Sequence, residues 1–336
     1  MGQRMRTGFH VVRTTALASG LAAWGATAVA ASLQDCAGVA EAAARLACFD
    51  RLAAEAASTR IAETPVAATA PAATEGVLHS RFRKESNQLE NPFGLTAYKP
   101  NYILPVTYNS KVHREPWTSI YPDAQMDDVE AKFQISFKAQ LWDISERFGL
   151  WAAYTQESWW QVYNDDESAP FRETNYQPEI FLSYGTHAQL FGFRVAQLNL
   201  GFNHQSNGRS DPLSRSWNRI VAGALLERDN LAISPRAWYR LPEDDEDDDN
   251  PDTEDYYGYG DLRIAYVWHD MTFSTLLRNN LQSDDNRGAL QLDWSFPLNR
   301  RFKGYVQYFH GYGESLIDYD VKTSRIGVGV MLTDWL

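Results

Sequence analysis

The sequence predicts an all-β fold, an antiparallel transmembrane β-barrel preceded by a short α-helical segment. Three observations carry that prediction. The first residues have the pattern of an export signal. From Val77 onward, stretches of apolar/polar alternation recur to the C-terminus, with lysines on the polar face. Trp and Tyr, the amphipathic rings that gather at membrane interfaces, number 11 and 17. A mean hydropathy of −0.43 speaks against a bundle of membrane helices. It does not speak against a barrel, because half of each strand faces a polar interior. A soluble β-sandwich is the competing architecture, and the export signal, the aromatic excess and the lysines favour the barrel.

Taken in order, Arg4, Arg6 and Arg13 precede an Ala-rich apolar run from Thr14 to Ala31, and Ala28-Val29-Ala30 has signal-peptidase spacing. Residues 1–30 are therefore expected to be a cleaved signal peptide. A single membrane anchor is the alternative, and the run is short and weakly hydrophobic for one. Residues 31–52 read as a helical segment carrying the only two cysteines, Cys36 and Cys48. In an oxidising compartment two lone cysteines pair, here closing a short helical hairpin on the periplasmic side, whereas a metal site needs more ligands than lie nearby. Residues 53–76, rich in Ala, Thr and Pro, read as a flexible linker.

Residues 77–336 form the predicted barrel. The cleanest strand is Lys132 to Leu141, where Phe133, Ile135, Phe137, Ala139 and Leu141 alternate with Lys132, Gln134, Ser136, Lys138 and Gln140. Lysines on the polar face suit a watery lumen better than a packed core. The same period recurs in Leu231/Ile233/Ala237/Tyr239, Leu262/Ile264/Tyr266/Trp268, Leu290/Leu292/Trp294/Phe296 and Ile326/Val328/Val330/Leu332. At about 20 residues per strand and turn, this length gives around a dozen strands and a narrow interior.

The net charge of −12 is local, since residues 243–255 hold ten acidic side chains and no Lys or Arg. No basic stripe remains to neutralise phosphates, so nucleic acid is excluded as a partner.

One strand departs from the pattern. Leu198, Leu200 and Phe202 are apolar, and the same register places His204 and Ser206 on the apolar side. An imidazole beside a hydroxyl makes a nucleophile when a third group orients the ring. Asn218, beyond a turn rich in Gly, Asp, Pro and Ser, is the candidate for that third group. The pair is also compatible with chance.

The stretch His204-Gln205-Ser206-Asn207-Gly208-Arg209-Ser210-Asp211-Pro212, with Ser214-Arg215-Ser216-Trp217-Asn218-Arg219, resembles the signature of the outer membrane phospholipase A family of Gram-negative bacteria. Ser158-Trp159-Trp160-Gln161, Pro170 to Tyr176, Gly311 to Tyr319 and Gly327 to Leu332 look like the same family, so the resemblance runs from about Val77 to Leu336. It implies a twelve-stranded barrel in the bacterial outer membrane whose outer surface bears the active site. It also implies calcium-dependent hydrolysis of acyl esters in glycerophospholipids and lysophospholipids, by phospholipase A1 and A2 activity, in a homodimer.

By matching positions, the resemblance makes Ser206 the nucleophile, His204 the general base, Asn218 the group orienting His204, and the Gly208 amide an oxyanion donor. It assigns calcium (Ca2+) to Ser214, the Arg209 carbonyl and Asp249, with Ser168 supplied by the partner subunit. A solvated extracellular loop explains most of the charge around Asp249 equally well. Gln156, in the outward register of Phe148, Leu150, Ala152 and Tyr154, would bond across the dimer; reaching the headgroup zone is the alternative. The rival to the phospholipase is a catalytically silent pore or structural barrel.

Overall fold

The computed structural model describes residues 33–61, 76–79, 81–82, 85, 94–145, 147–244, 246 and 248–334. The expected signal peptide and residues 62–75 of the expected linker lie outside the described residues. The chain divides into two compact units, Met1–Pro71 and Ala72–Leu336.

In the first unit, helix α1 (Leu33–Ala37) and helix α2 (Ala42–Ile61) are joined by the Cys36–Cys48 disulfide, with Cα atoms 5.5 Å apart. Helix α2 runs into the stretch expected to be linker from residue 53. The reason lies in Ala53, Ala54, Glu55, Ala56 and Ala57, which are strong helix formers, while the first proline comes only at Pro65.

The second unit is a closed antiparallel barrel. Its strands are β1 (Asn101–Asn109), β2 (Val129–Ser145), β3 (Phe148–Trp160), β4 (Phe171–Gly185), β5 (Phe193–Ser206) and β6 (Ser216–Arg228). They continue as β7 (Leu231–Arg240), β8 (Gly260–Trp268), β9 (Met271–Asn279), β10 (Gly288–Pro297), β11 (Lys303–Gly311) and β12 (Thr323–Thr333). Each strand pairs with the next, and β12 returns to β1 through pairs such as Ile326 with Tyr108, so these twelve strands leave no edge.

Alternation decides which side chains meet lipid. Leu200 and Val328 are 54% and 51% exposed on the outer face, an apolar surface that only hydrocarbon makes favourable. The connections separate the two ends. Those at 146–147, 186–192, 229–230, 269–270 and 298–302 are short, while those at 110–128, 161–170, 207–215, 241–259, 280–287 and 312–322 are mostly longer. In outer-membrane barrels short turns face the periplasm and longer loops face outward.

The lysines expected to face a watery lumen are held in ion pairs, and they line a polar cavity of about 210 Å³ inside the barrel. Lys132 and Lys138 are only 2% exposed. Lys132 Nζ lies 3.2 Å from Glu157 and 4.6 Å from the centre of the Trp159 ring. Lys138 Nζ lies 2.9 Å from Glu85 and 4.5 Å from the Trp151 ring. In so narrow a ring of twelve strands the inward side chains of neighbouring strands and of the segment before β1 reach one another, and these charges are paired. Arg172 is fully buried between Glu130 and Asp318, donating to Glu130 at 2.8 and 2.9 Å and to Asp318 at 2.5 Å. Near the short-turn end, buried Leu78 packs on Ala196, Leu225, Ala232 and Ala265, and its amide donates to Glu227 at 2.8 Å.

Candidate active site

Strand pairing assembles the site. In the β5–β6 ladder, Phe202 faces Ile220, His204 faces Asn218 and Ser206 faces Ser216. Phe202 and Ile220 are exposed on the lipid side. Residues two apart share a face, so His204, Ser206 and Asn218 also project outward, at the end of the strands that carries the long loops. On the opposite side of β6, Trp217 is fully buried and the Arg219 guanidinium stacks 3.7 Å from its ring centre. That anchor fixes the face to which Asn218 belongs.

His204 Nδ1 and Asn218 Oδ1 are 2.8 Å apart. An amide oxygen only accepts, so the imidazole carries its proton on Nδ1 and presents Nε2 as the basic nitrogen. Among the described residues no hydrogen bond joins the Ser206 hydroxyl to the imidazole. Such bonds commonly tighten only when substrate is in place. The other end of the amide is also used, because Asn218 Nδ2 donates to Glu243 Oε1 at 2.9 Å.

The turn after Ser206 is held by a residue that sequence reasoning passed over. The Asn207 amide donates to the Arg215 carbonyl at 3.0 Å and its side chain donates to the Leu213 carbonyl at 2.8 Å. Its Oδ1 accepts from the Arg215 amide at 3.0 Å and the Arg209 amide at 3.3 Å. The Asn207-Gly208 dipeptide was the available turn signal. Gly208 has φ +66°, where a Cβ would come within 3.0 Å of Tyr176, and its amide donates no hydrogen bond among the described residues. Arg209 clamps the turn to β4, donating to the Arg172 and Phe171 carbonyls at 3.0 and 3.2 Å and stacking 4.2 Å from the Trp117 ring centre.

The loop from 241 to 259 leans on this turn. Asn250 Oδ1 accepts from the Ser216 amide at 2.9 Å, and Arg240 holds Asp248 at 2.6 Å. The Tyr319 hydroxyl donates to Asp252 at 2.6 Å. Burial, together with that bond and the Asp252 charge, holds the hydroxyl well above the usual phenolic range, so it remains a donor at working pH. Asp249 is half-buried in this loop, and Ser214 is half-buried in the neighbouring turn.

The donors expected to hold a metal are all oxygens: the Arg209 carbonyl, the Ser214 hydroxyl and the Asp249 carboxylate. Hard cations such as calcium prefer such a set. The Arg209 carbonyl accepts no hydrogen bond among the described residues, and the Asn250–Ser216 bond ties together the two loops that carry these donors. The residues therefore fit the ion. Among the described residues no cluster of three or more His, Cys, Asp or Glu side chains could hold a metal by itself.

Two expected residues stand apart from this group. Ser168 is exposed at φ 60° in the loop between β3 and β4. Gln156 lies on the outward face of β3, accepting from the Tyr154 hydroxyl at 3.2 Å and donating one N–H to Ser158 at 3.2 Å, which leaves the second N–H of the amide for another acceptor.

The model of the family described as phospholipase A1 matches residues 78–332. The phospholipase A1 of Escherichia coli K12 is 41% identical over 249 residues, covering 73% of this chain and 83% of that one. A putative phospholipase A1 of Neisseria meningitidis serogroup B is 42% identical over 262 residues, covering 74% and 68%. Among solved structures, outer membrane phospholipase A from Escherichia coli superposes with a TM-score of 0.69 at 39% identity, covering 73% of this chain and all of that one. The Salmonella typhi outer membrane phospholipase, described as a dimer with bound calcium, gives 0.70 at 39% identity, covering 75% and 97%. Sequence, barrel and outward-facing polar group agree, and the chain belongs to the phospholipase A1 family of bacterial outer-membrane β-barrel ester hydrolases.

Proposed function

We propose that this enzyme hydrolyses the acyl esters of glycerophospholipids and lysophospholipids in the outer membrane, with calcium, as a homodimer, through Ser206, His204 and Asn218 on its lipid-facing surface. The observation that carries the reading is the His204–Asn218 bond on the outer face, where the strand pattern otherwise calls for apolar side chains. A site on the barrel wall has no enclosing pocket and suits substrates already presented by the bilayer.

His204 Nε2 takes the Ser206 proton as the hydroxyl oxygen attacks the ester carbonyl. The Gly208 amide donates to the oxygen that becomes negative. On collapse, the imidazolium returns the proton to the departing glycerol oxygen and leaves an acyl–serine ester. A water deprotonated by the same imidazole then releases the fatty acid and restores Ser206. Asn218 keeps Nδ1 protonated throughout, and its neutral amide avoids placing a bare carboxylate beside hydrocarbon. When bound by Arg209, Ser214 and Asp249, calcium supplies positive charge that favours the developing oxyanion. Ser168 from the partner subunit completes that ligand set and Gln156 bonds across the subunit contact, so activity follows dimerisation.

A silent pore is disfavoured by the ion pairs of Lys132 and Lys138 inside the barrel and by Leu78 packed near its short-turn end. The direct test is Ser206→Ala, which should abolish fatty-acid release from detergent-dispersed phosphatidylethanolamine in a barrel that still folds. Undiminished release would remove the proposal.

A further inference from the structure

The acidic run that dominates the net charge contains one carboxylate with a specific geometric task. Leu241, the residue after β7, donates its amide to the Asn218 carbonyl at 2.8 Å, which extends the β6–β7 ladder by one pair beyond Arg219–Arg240. The chain therefore leaves the barrel wall beside the orienting amide. Pro242 follows, and Glu243 comes back against Asn218 Nδ2 at 2.9 Å. Asn218 is thus held from both sides, its oxygen toward His204 and its nitrogen toward a half-buried carboxylate.

Resting on the reading of Ser206, His204 and Asn218 given above, we infer that Glu243 is a positioning residue, the fourth member of a Ser206–His204–Asn218–Glu243 chain. Its first effect is orientation. An amide can rotate about its terminal torsion and present nitrogen instead of oxygen, and a nitrogen facing His204 Nδ1–H would set donor against donor. A carboxylate on the far side only accepts, so it admits one of the two orientations. Its second effect is charge. The neutral amide gives less support than a carboxylate to the imidazolium formed in the transition state, and Glu243 places a negative charge one amide further away, polarising Asn218 toward the ring. The arrangement also accounts for Asn rather than Asp at 218 in this chain, because an aspartate would set two carboxylates within 3 Å of each other.

The test compares Glu243→Leu, Glu243→Gln and Ser206→Ala in the full-length protein, with kcat, KM and the calcium requirement measured on detergent-dispersed phosphatidylethanolamine. Glu243→Leu should lower kcat about tenfold, the loss expected when one hydrogen bond to the transition-state assembly is removed. KM and the half-saturating calcium concentration should stay within twofold. Glu243→Gln keeps an acceptor oxygen for Asn218 Nδ2 without the charge, and should recover at least half of the lost kcat. Wild-type kcat in Glu243→Leu, with Ser206→Ala inactive, would overturn this inference and leave the catalytic reading intact. A shifted calcium requirement in the Leu variant would also overturn it, placing Glu243 in the metal site. Activity in Ser206→Ala would instead remove the reading on which the inference rests.

Discussion

Asn218→Ala tests the link between barrel geometry and chemistry most sharply. Asn218 Oδ1 accepts from His204 Nδ1 at 2.8 Å, first from a neutral ring and, in the transition state, from an imidazolium. A hydrogen bond to a charged group contributes about 1.5–3 kcal/mol and one between neutral groups about 0.5–1.5 kcal/mol. The transition state therefore gains about 1–2 kcal/mol more from this bond than the resting enzyme does. At about 1.4 kcal/mol per decade, kcat should fall about five- to thirtyfold, with a further loss because the ring is freed to turn. Asn218→Asp should restore activity only in part, since the acceptor returns but the donor to Glu243 at 2.9 Å is replaced by a like charge. The assay is fatty-acid release at saturating lipid, beside a measure of folded barrel such as its faster migration in unheated detergent gels. A kcat within twofold of wild type in folded Asn218→Ala would refute the reasoning, as would a loss that merely tracks the folded fraction.

The remaining predictions concern the metal and the lumen. Asp249→Ala should raise the half-saturating calcium concentration about tenfold, with near-normal kcat once calcium is saturating, because ligand charge sets affinity in such sites. The exposed Asp244, changed to Ala, should leave the calcium requirement unmoved. Arg172→Leu should cost about 3–5 kcal/mol of stability, read as a lower denaturant midpoint, because it leaves Glu130 and Asp318 buried without the cation they share. An unchanged midpoint would mean that the barrel does not depend on the Arg172 network for its stability.

Much of this architecture is legible in the sequence because the relevant signals are local. Leu198, Leu200 and Phe202 set a face, and His204 and Ser206 inherit it by spacing alone; the β5–β6 register then brings Asn218 opposite His204. What stays hidden depends on contacts between distant segments. Lys132 and Lys138 announce a polar face, but their carboxylate partners, Glu157 on the neighbouring strand and Glu85 from the segment before β1, follow only from the folded chain. The role of Asn207 requires knowing that Arg215 and Leu213 fold back over it. Glu243 lies in a run of acids whose composition describes a solvated loop equally well, and only the Leu241–Asn218 backbone pair singles it out. Helix α2 outruns the expected linker boundary because alanine serves both compositions, and proline alone marks the difference.

The central claim, that a serine on the outer wall of the barrel is the nucleophile, is tested most directly by a phosphonate that mimics a phospholipid ester and reacts irreversibly with activated serines. After inactivation of the calcium-loaded enzyme, mass spectrometry of the peptides should place one adduct on Ser206, and His204→Ala should prevent it from forming. An adduct on another residue, or inactivation that leaves Ser206 unmodified, would contradict the account.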